Sequence, residues 1–562
     1  MRPVLRRAAL AAACVSALAL ALAGCGNHVA SNAPITYAPA DTPYLFANTK
    51  AVPEDVANAW GQANDKLMSM RIQQLGHFAD AFGQKDPGVA TVLDAIRDEL
   101  ADVHSVKDME QATGFSRSAL YAFYGIGDVP VMRVELASPD AFKAFWSRVE
   151  KRAGVTTPTA KIGAQNYWVI GGNDAKLHLL VAIEDKQLVL TAAPANASED
   201  LLKQLLGLTK PSSNAVDRLA RIDSDNGYGE YGSGYVDLPK LFANLFDGKD
   251  PVTREFAKDL GGDATANPAC ASEFASLAGQ APLASIGFTT YTAKEIRGGV
   301  DVQLSPALLG ALTALKQPVP GMDEQSDHSM FDMVLALPLE KWQAFIKGRA
   351  EAAAAKTYQC PALQSLNKFA NTAANPPVQM PPEAASMLGF RVVLDKWDIG
   401  PQIAGRVLVA SSNPTELAQK IQQTMPQFAL KSITTDGKPV AFDLPSRLQA
   451  MLGGGNQGWI AANANALVVG IGDGEDAKLG NALNAPAGNG DTLLRMHFDG
   501  KMYPLLGSWI SRFAAAMPAT SQAQVQQQVA AFNLMGEMIQ SADMDVKLDG
   551  KGLHIDSVVE HR

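Results

Sequence analysis

Histidine is the side chain that most often binds metals and moves protons near neutral pH, and the chain contains only eight. They stand at positions 28, 77, 104, 178, 328, 497, 554 and 561. No two have the His-x-x-x-His spacing that places both rings on one helix face to bind a metal. The sequence therefore predicts no metal site, whereas a catalytic triad assembled from distant residues stays open.

Glycine-rich turns come next, because they can cradle phosphate groups at the start of a helix. Residues 470–475 (GIGDGE) follow a predicted strand and precede a predicted helix, which is where a dinucleotide-binding turn lies. The last glycine of that motif is missing, and Asp473 and Glu475 would repel a pyrophosphate. We interpret the stretch as an ordinary strand–helix turn and predict no cofactor.

Three tyrosines, Tyr228, Tyr231 and Tyr235, lie among four glycines in residues 227–235. Aromatic rings in such a stretch can form a surface that binds a sugar or a peptide. They also suit an irregular strand edge that leads into the next helix, and this interpretation is preferred. An aromatic binding surface here would be specific to the first half of the chain.

The clearest motif lies near the N terminus, where Leu22-Ala23-Gly24-Cys25 closes an apolar run that follows three arginines. This order is the layout of a secretory signal, and the run is shorter than the roughly 20 apolar residues that a bilayer crossing needs. The four residues resemble a bacterial lipobox. We therefore expect residues 1–24 to be a signal peptide that is cleaved between Gly24 and Cys25; an uncleaved anchor or a buried helix is the alternative.

The resemblance to bacterial lipoproteins implies that Cys25 carries a thioether-linked diacylglycerol and an acyl chain such as palmitate on its amino group. Two or more chains give stable anchoring. Gly26 stands where an aspartate would mark retention in the inner membrane of Gram-negative bacteria, so the resemblance implies the periplasmic side of the outer membrane. The outer leaflet of the inner membrane and the cell surface are the alternatives.

Residues 25–41 contain scattered Pro, Ala, Ser and Asn without periodicity and are predicted to be the lipidated N terminus and a flexible linker. A segment of this length spans about 50 Å when fully extended.

The composition of the 562 residues, 47% hydrophobic and 19% charged, is typical of a globular protein. Removal of residues 1–24 takes away three arginines and no acid, which changes the formal net charge from −9 to −12. Nucleic acid is therefore not expected as a partner, because binding to phosphates needs a surplus of Lys and Arg. The acidic composition also gives no support for a general attraction to anionic lipid headgroups.

Two cysteines remain once Cys14 is assigned to the signal and Cys25 to the lipid, namely Cys270 and Cys360. Each stands close to a proline, just before a predicted helix. In an oxidising compartment two such cysteines are more often paired than free. We predict a Cys270–Cys360 disulfide, with two separate buried thiols as the alternative.

One supersecondary unit returns along the chain: a short apolar strand, a proline and an amphipathic helix. It begins near residues 44, 131 and 234, and again near 330, 407 and 494. Predicted hairpins follow in the same order, at 177–191 and 286–304 in one half and at 459–471 and 544–559 in the other.

The matching order predicts a tandem duplication with halves at residues 42–320 and 321–562. Each half is expected to have an α+β fold, a mixed and mostly antiparallel sheet with helices packed on it. Because Cys270 falls in the first half and Cys360 in the second, the disulfide would connect the halves.

From the stretch 40–48 (ADTPYLFAN) onward, the duplicated body resembles large envelope lipoproteins of proteobacteria whose function is unknown. The resemblance supplies no catalytic residue. Our leading hypothesis is a non-enzymatic protein that binds an envelope protein, glycan or lipid through a groove or sheet edge between its halves. The alternatives are a hydrolase that acts on an envelope polymer and a carrier of an apolar ligand.

Overall fold

The computed structural model describes residues 29–61, 65, 68, 72–73, 75–76, 87–171, 176–254, 268–324, 329–375, 380–397, 403–424, 433–446, 449, 457–514 and 519–562. These residues form an α+β fold, which confirms the predicted class. The chain divides into two compact units. The first extends to Val302 and includes Cys360–Ala362; the second comprises Gln303–Gln359 and Leu363–Arg562.

The described strands of the first unit, in chain order, are β1 (Tyr44–Ala47), β2 (Tyr121–Ile126), β3 (Val129–Glu135), β4 (Thr159–Ile162), β5 (Gln165–Ile170), β6 (Leu177–Glu184), β7 (Gln187–Pro194), β8 (Ser233–Asp237), β9 (Leu283–Tyr291) and β10 (Glu295–Gln303). Their spatial order is β4-β5-β6-β7-β3-β2-β1-β8-β9-β10, and each of these pairings is antiparallel.

The described strands of the second unit are β11 (Phe331–Ala336), β12 (Met387–Trp397), β13 (Ile403–Ser411), β14 (Val440–Asp443), β15 (Gln457–Ala462), β16 (Ala466–Ile471), β17 (Thr492–Asp499), β18 (Ile539–Leu548) and β19 (Gly552–His561). Their order is β14-β15-β16-β13-β12-β11-β17-β18-β19, again antiparallel throughout. Among the described strands, the first unit has one additional strand, β4, at its edge. Its other nine described strands, β5-β6-β7-β3-β2-β1-β8-β9-β10, are arranged in the same way as the nine described strands of the second unit. A tandem duplication predicts such a repetition, and the duplication itself stays a prediction.

The described helices of the first unit are a 3-10 turn (Pro34–Tyr37), α1 (Pro87–Glu99), α2 (Val106–Thr113), α3 (Pro139–Ala153), α4 (Glu199–Leu206), α5 (Val216–Asn226), α6 (Leu238–Asp247) and α7 (Pro268–Ala278), with helical residues also at 54–61. Those of the second are α8 (Pro306–Thr313), α9 (Leu339–Ala355), α10 (Gln364–Ala374), α11 (Pro382–Ala385), α12 (Pro414–Thr424), α13 (Asp476–Leu483), α14 (Met502–Ala514) and α15 (Ala519–Met538). None of the helices among the described residues of either unit is both long and apolar enough to span a bilayer.

Helix α3 shows why the strand–proline–helix pattern could be recognised in the sequence. The Ser138 hydroxyl accepts a hydrogen bond from the Ala141 backbone N–H at 3.1 Å, and Pro139 fits the first turn, where no intrahelical N–H bond is lost. At the other end Gly154 adopts a φ of +65°, a left-handed conformation that suits glycine. Four apolar side chains of the helix are buried, namely Phe142, Phe145, Trp146 and Val149. Burial of each stabilises the fold by about 1.5–3 kcal/mol.

The flexible linker predicted for residues 25–41 is wrong over its C-terminal part. Ile35, Tyr37 and Ala38 are buried in the core of the first unit, and Pro39 forms a β-bridge with Asn214. Burial of Ile35 and Tyr37 offsets part of the conformational entropy that is lost when this segment becomes ordered. The eight peptide steps from Cys25 to the buried Ala33 span at most about 28 Å.

Candidate functional site

The predicted lipid site and cleavage site, Cys25 and Gly24, lie outside the described residues. The predicted disulfide is confirmed: Cys270 and Cys360 are bonded, with their Cα atoms 4.6 Å apart. Both side chains are buried, and the Cys360 backbone N–H donates to the Glu273 carboxylate at 2.9 Å. Although Cys360 falls in the second half of the sequence, both cysteines belong to the first compact unit. The bond attaches Cys360 to helix α7 within that unit.

The three predicted tyrosines do not share an exposed face. The side chains of Tyr228 and Tyr235 are only 8% and 2% exposed, respectively. The Tyr228 hydroxyl donates to the Asp301 carboxylate, and burial raises its pKa above the usual value. Tyr231 is half-buried, with its ring centroid 5.9 Å from that of Tyr291. The stretch is an irregular lead into strand β8, the interpretation that the sequence favours.

A connected group of charged side chains lies on one face of the strands of the second unit. Val334 of β11 pairs with Arg391 of β12 on one side and with Arg495 of β17 on the other. Asp332 lies two residues before Val334, so its side chain points to the same face of the sheet. We call Asp332, Arg391, Arg495 and Glu324 the arginine cluster.

Asp332 is at the centre of the arginine cluster and is fully buried, whereas Arg391 is 3% exposed. Arg391 donates from Nε and Nη2 to the two oxygens of Asp332 at 3.0 and 2.8 Å, a bidentate pair. Arg495 Nη2 donates to Asp332 Oδ2 at 2.9 Å, and Arg391 Nη1 donates to Glu324. Two guanidinium groups and two carboxylates thus balance in charge.

The pKa directions agree with this geometry. Burial disfavours the charged form of Arg391, but the hydrogen bonds and charges of Asp332 and Glu324 outweigh it, and its pKa is raised. Burial lowers the pKa of Arg495, and Asp332 offsets that effect in part. Arg495 Nε is buried and has no hydrogen-bond partner among the described residues. Arg391 is therefore the better-stabilised cation.

The charged face continues across β17 to β18. His497 pairs in register with Asp543, and its Nδ1 lies 2.7 Å from Asp543 Oδ1. In a catalytic relay a carboxylate orients a histidine, and a nucleophile lies within hydrogen-bond distance of that histidine. The hydrogen bonds of the described residues bring no Ser, Thr or Cys side chain to His497. The contacts seen for His497 are those of an ion pair.

We expect this pair to stabilise the second unit more at low pH than at high pH. The hydrogen bond to Asp543 raises the pKa of His497 despite its burial, with help from the charges of Asp543, Asp499 and Asp332. The folded protein therefore holds this proton more tightly than the unfolded chain. The stabilisation is fully present below about pH 6.5 and is lost as the pH rises through the raised pKa.

Its magnitude should be below about 1 kcal/mol, because both side chains are partly exposed. Denaturant unfolding of the wild type and of His497→Gln at about pH 5.5 and pH 8.5 tests this expectation. The stability difference between the two proteins should be larger at the lower pH, and equal differences would contradict it. The variant is needed as a reference because burial lowers the pKa of His561, so the contribution of His561 to stability changes with pH in the opposite direction. That contribution is the same in both proteins and cancels in the difference.

A second cluster occupies the glycine-rich turn at 470–475. Glu475 is fully buried at the N terminus of α13 and accepts from Arg406 at 3.2 Å and from Lys478 at 2.8 Å. The same two cations donate to Asp395, each at 2.6 Å. A carboxylate of the protein thus stands at the start of the helix, and strand β16 ends at Ile471, within this stretch. This geometry is that of the strand–helix turn expected from the sequence.

The first unit holds a buried cation in a different way. Arg133 is fully buried, and it donates to Gln187 Oε1 at 2.9 Å and to the Leu206 carbonyl at 3.2 Å. Its guanidinium carbon lies 3.6 Å from the centre of the Tyr37 ring. Its Nη2 has no hydrogen-bond partner in the described part of the chain. The ring and the neutral oxygens take the place of a carboxylate.

The described residues contain no group of three or more His, Cys, Asp or Glu side chains arranged to hold a metal ion. Comparison with known proteins finds no matching family model, no matching curated protein and no matching solved structure.

Proposed function

We propose that this protein is a lipid-anchored envelope protein that faces the periplasm from the outer membrane and has a binding or structural role. The observation that carries the location is the Cys270–Cys360 disulfide. Structural disulfides persist in oxidising compartments and are rare in the cytosol. Together with the Leu22-Ala23-Gly24-Cys25 motif, the bond supports export and lipidation, and Gly26 favours the outer membrane.

The arrangement of charges supports binding rather than catalysis. A catalytic acid or base must reach the reacting atoms of a substrate. The buried Asp332 and Glu475 instead accept hydrogen bonds from cations of the protein itself. Both carboxylates are thus occupied within the protein, so we assign partner recognition to exposed surface, with an envelope protein, glycan or lipid as the partner.

The anchor is tested by metabolic labelling with radioactive palmitate. The wild type and Cys14→Ser should incorporate the label, because Cys14 belongs to the predicted signal, whereas Cys25→Ser should incorporate none. Cys25→Ser should also leave the membrane fraction once its signal is removed. Equal labelling of Cys25→Ser and the wild type would refute lipidation at this residue.

The binding role is tested with the wild-type protein purified from detergent-solubilised membranes. A protein or lipid component should copurify in a fixed ratio and be lost on mild denaturation. Isolation of the chain without any such component would count against the binding role and leave the anchor proposal intact.

A further inference from the structure

Helices α9 and α10 and the connection between them, residues 339–374, form what we call the α9–α10 hairpin. The two helices pack against each other. The connection is fixed to α10, because the Tyr358 backbone N–H donates to Asn367 Oδ1 at 2.8 Å and Asn367 Nδ2 donates to the Tyr358 carbonyl at 2.9 Å. Cys360, in the same connection, is bonded to Cys270. The α9–α10 hairpin is thus a well-braced element.

Its surface is unusually apolar for an exposed element. The side chains of Phe369, Ile346 and Leu366 are 69%, 45% and 39% exposed. They are three of the seven large hydrophobic side chains that are exposed among the described residues. Leu366 and Phe369 are three residues apart and therefore share one face of α10. Large exposed apolar side chains that cluster in this way mark an interaction surface.

Helix α9 carries a related group of apolar side chains that is partly exposed. Trp342, Phe345 and Ile346 follow the spacing of residues on one helix face. The Trp342 and Phe345 rings are half-buried and pack edge to face, with their centroids 5.8 Å apart. Each helix therefore places large apolar side chains on a single face.

The α9–α10 hairpin is also basic, in contrast to the rest of the chain. Its five cations are all exposed and outnumber its two acids, which gives a formal charge of +3: Lys341, Lys347, Arg349, Lys356 and Lys368 against Glu340 and Glu351. The chain without residues 1–24 has a net charge of −12. The overall charge argues against attraction to anionic lipid, but this surface has the opposite sign.

Exposed aromatic and aliphatic side chains surrounded by Lys and Arg suit the headgroup region of a bilayer. The apolar groups enter the boundary between headgroups and acyl chains, while the long cationic side chains reach the phosphates. A protein groove would match the apolar groups but would not account for the excess of cations. An anionic bilayer would attract the basic α9–α10 hairpin and repel the acidic remainder of the chain. These two effects together would orient the chain on the bilayer.

We propose that the α9–α10 hairpin is a second membrane-binding element that lies on a bilayer containing anionic phospholipid. The proposal rests on the proposed function in one respect, since the lipid on Cys25 keeps the chain beside a bilayer. The charge and the apolar surface of the α9–α10 hairpin determine whether it then binds.

The test uses the lipidated full chain, reconstituted into vesicles, with an environment-sensitive NBD fluorophore at residue 369. In the proposed mature form Cys25 is lipidated and Cys270 and Cys360 are bonded, so Phe369→Cys introduces the single free thiol. Asn371→Cys is the matched control, because Asn371 is exposed and lies about 200° around α10 from Phe369, on the opposite side of the helix. Both labels are compared on phosphatidylcholine vesicles with and without about one third phosphatidylglycerol.

The label at residue 369 should brighten severalfold and shift to shorter wavelength on the anionic vesicles, and the label at residue 371 should not change. Combining Phe369→Cys with Lys347→Glu, Arg349→Glu and Lys368→Glu should abolish the response. Equal emission at residue 369 on the two kinds of vesicle, or an unchanged response in the charge-reversed variant, would overturn the proposal. Flotation separates the two proposals: a chain that fails to float with vesicles refutes the anchor, whereas a floating chain with a silent label refutes the α9–α10 hairpin alone.

Discussion

Replacing Arg391 by methionine should lower the free energy of unfolding of the second unit by about 3–5 kcal/mol. The reason is the state of Asp332, which is fully buried and accepts two hydrogen bonds from Arg391. Without that guanidinium the carboxylate retains Arg495 as its sole cationic partner in the arginine cluster. A buried charge that loses its partner costs far more than an exposed one, because water cannot replace the lost interaction.

Denaturant unfolding, followed by a probe in the second unit, measures this effect. Lys438→Met is the matched control, because it also removes a cation from an ion pair of the second unit, here the exposed pair with Asp436. It should leave the unfolding midpoint unchanged. Similar midpoints for Arg391→Met and Lys438→Met would show that the arginine cluster does not stabilise the sheet.

Loss of the disulfide should destabilise the first unit by a similar amount, about 4–5 kcal/mol. The bond joins residues 90 positions apart, so it removes a large share of the conformational entropy of the unfolded chain. The double variant Cys270→Ser/Cys360→Ser avoids the stray thiol that either single replacement leaves. Its thermal transition should lie well below that of the wild type.

Reduction supplies the control for this experiment. A reducing agent should bring the wild type down to the transition temperature of the double variant and leave the variant itself unchanged. On a non-reducing gel the wild type should migrate faster than the variant. If reductant has no effect on the wild type, the bond does not stabilise the first unit.

Features that depend on neighbouring residues could be predicted from the sequence. Pro139 after Ser138 set the start of α3, and Gly154 set its end. The repeated order of strands, prolines and hairpins also corresponds to elements of the structure, and the elimination of Cys14 and Cys25 identified the bonded pair. Local chemistry determines the helix boundaries, whereas the disulfide follows from the number of cysteines that remain.

The arginine cluster could not be predicted, because the pairing of the strands creates it. Asp332 is 59 residues from Arg391 and 163 residues from Arg495 in the sequence. The three side chains meet only when β12 and β17 pair with β11, one on each side, in the correct register. A partial signal was present. Arg133 and Arg495 each stand between apolar residues inside a predicted strand, and Arg391 stands between Phe390 and Val392. A cation in such a stretch needs a partner if the stretch is buried. Such a signal identifies the cation and leaves its partner unknown.

The predicted linker failed for a related reason. Residues 25–41 have the scattered composition of a connector, but Ile35 and Tyr37 pack into the core of the first unit. Two apolar residues in a short segment show no periodicity, so their burial depends on the sheet that receives them.

The burial of Ile35 and Tyr37 has a consequence for encounter rates. In the proposed lipidated form, a lead of at most about 28 Å confines the first unit to a thin layer above the anchor. For a partner anchored in the same membrane, a tether this short gives a binding site on the first unit an effective concentration of about millimolar. A partner in the same membrane could then be held by weak contacts, whereas a partner in solution would need a much higher intrinsic affinity.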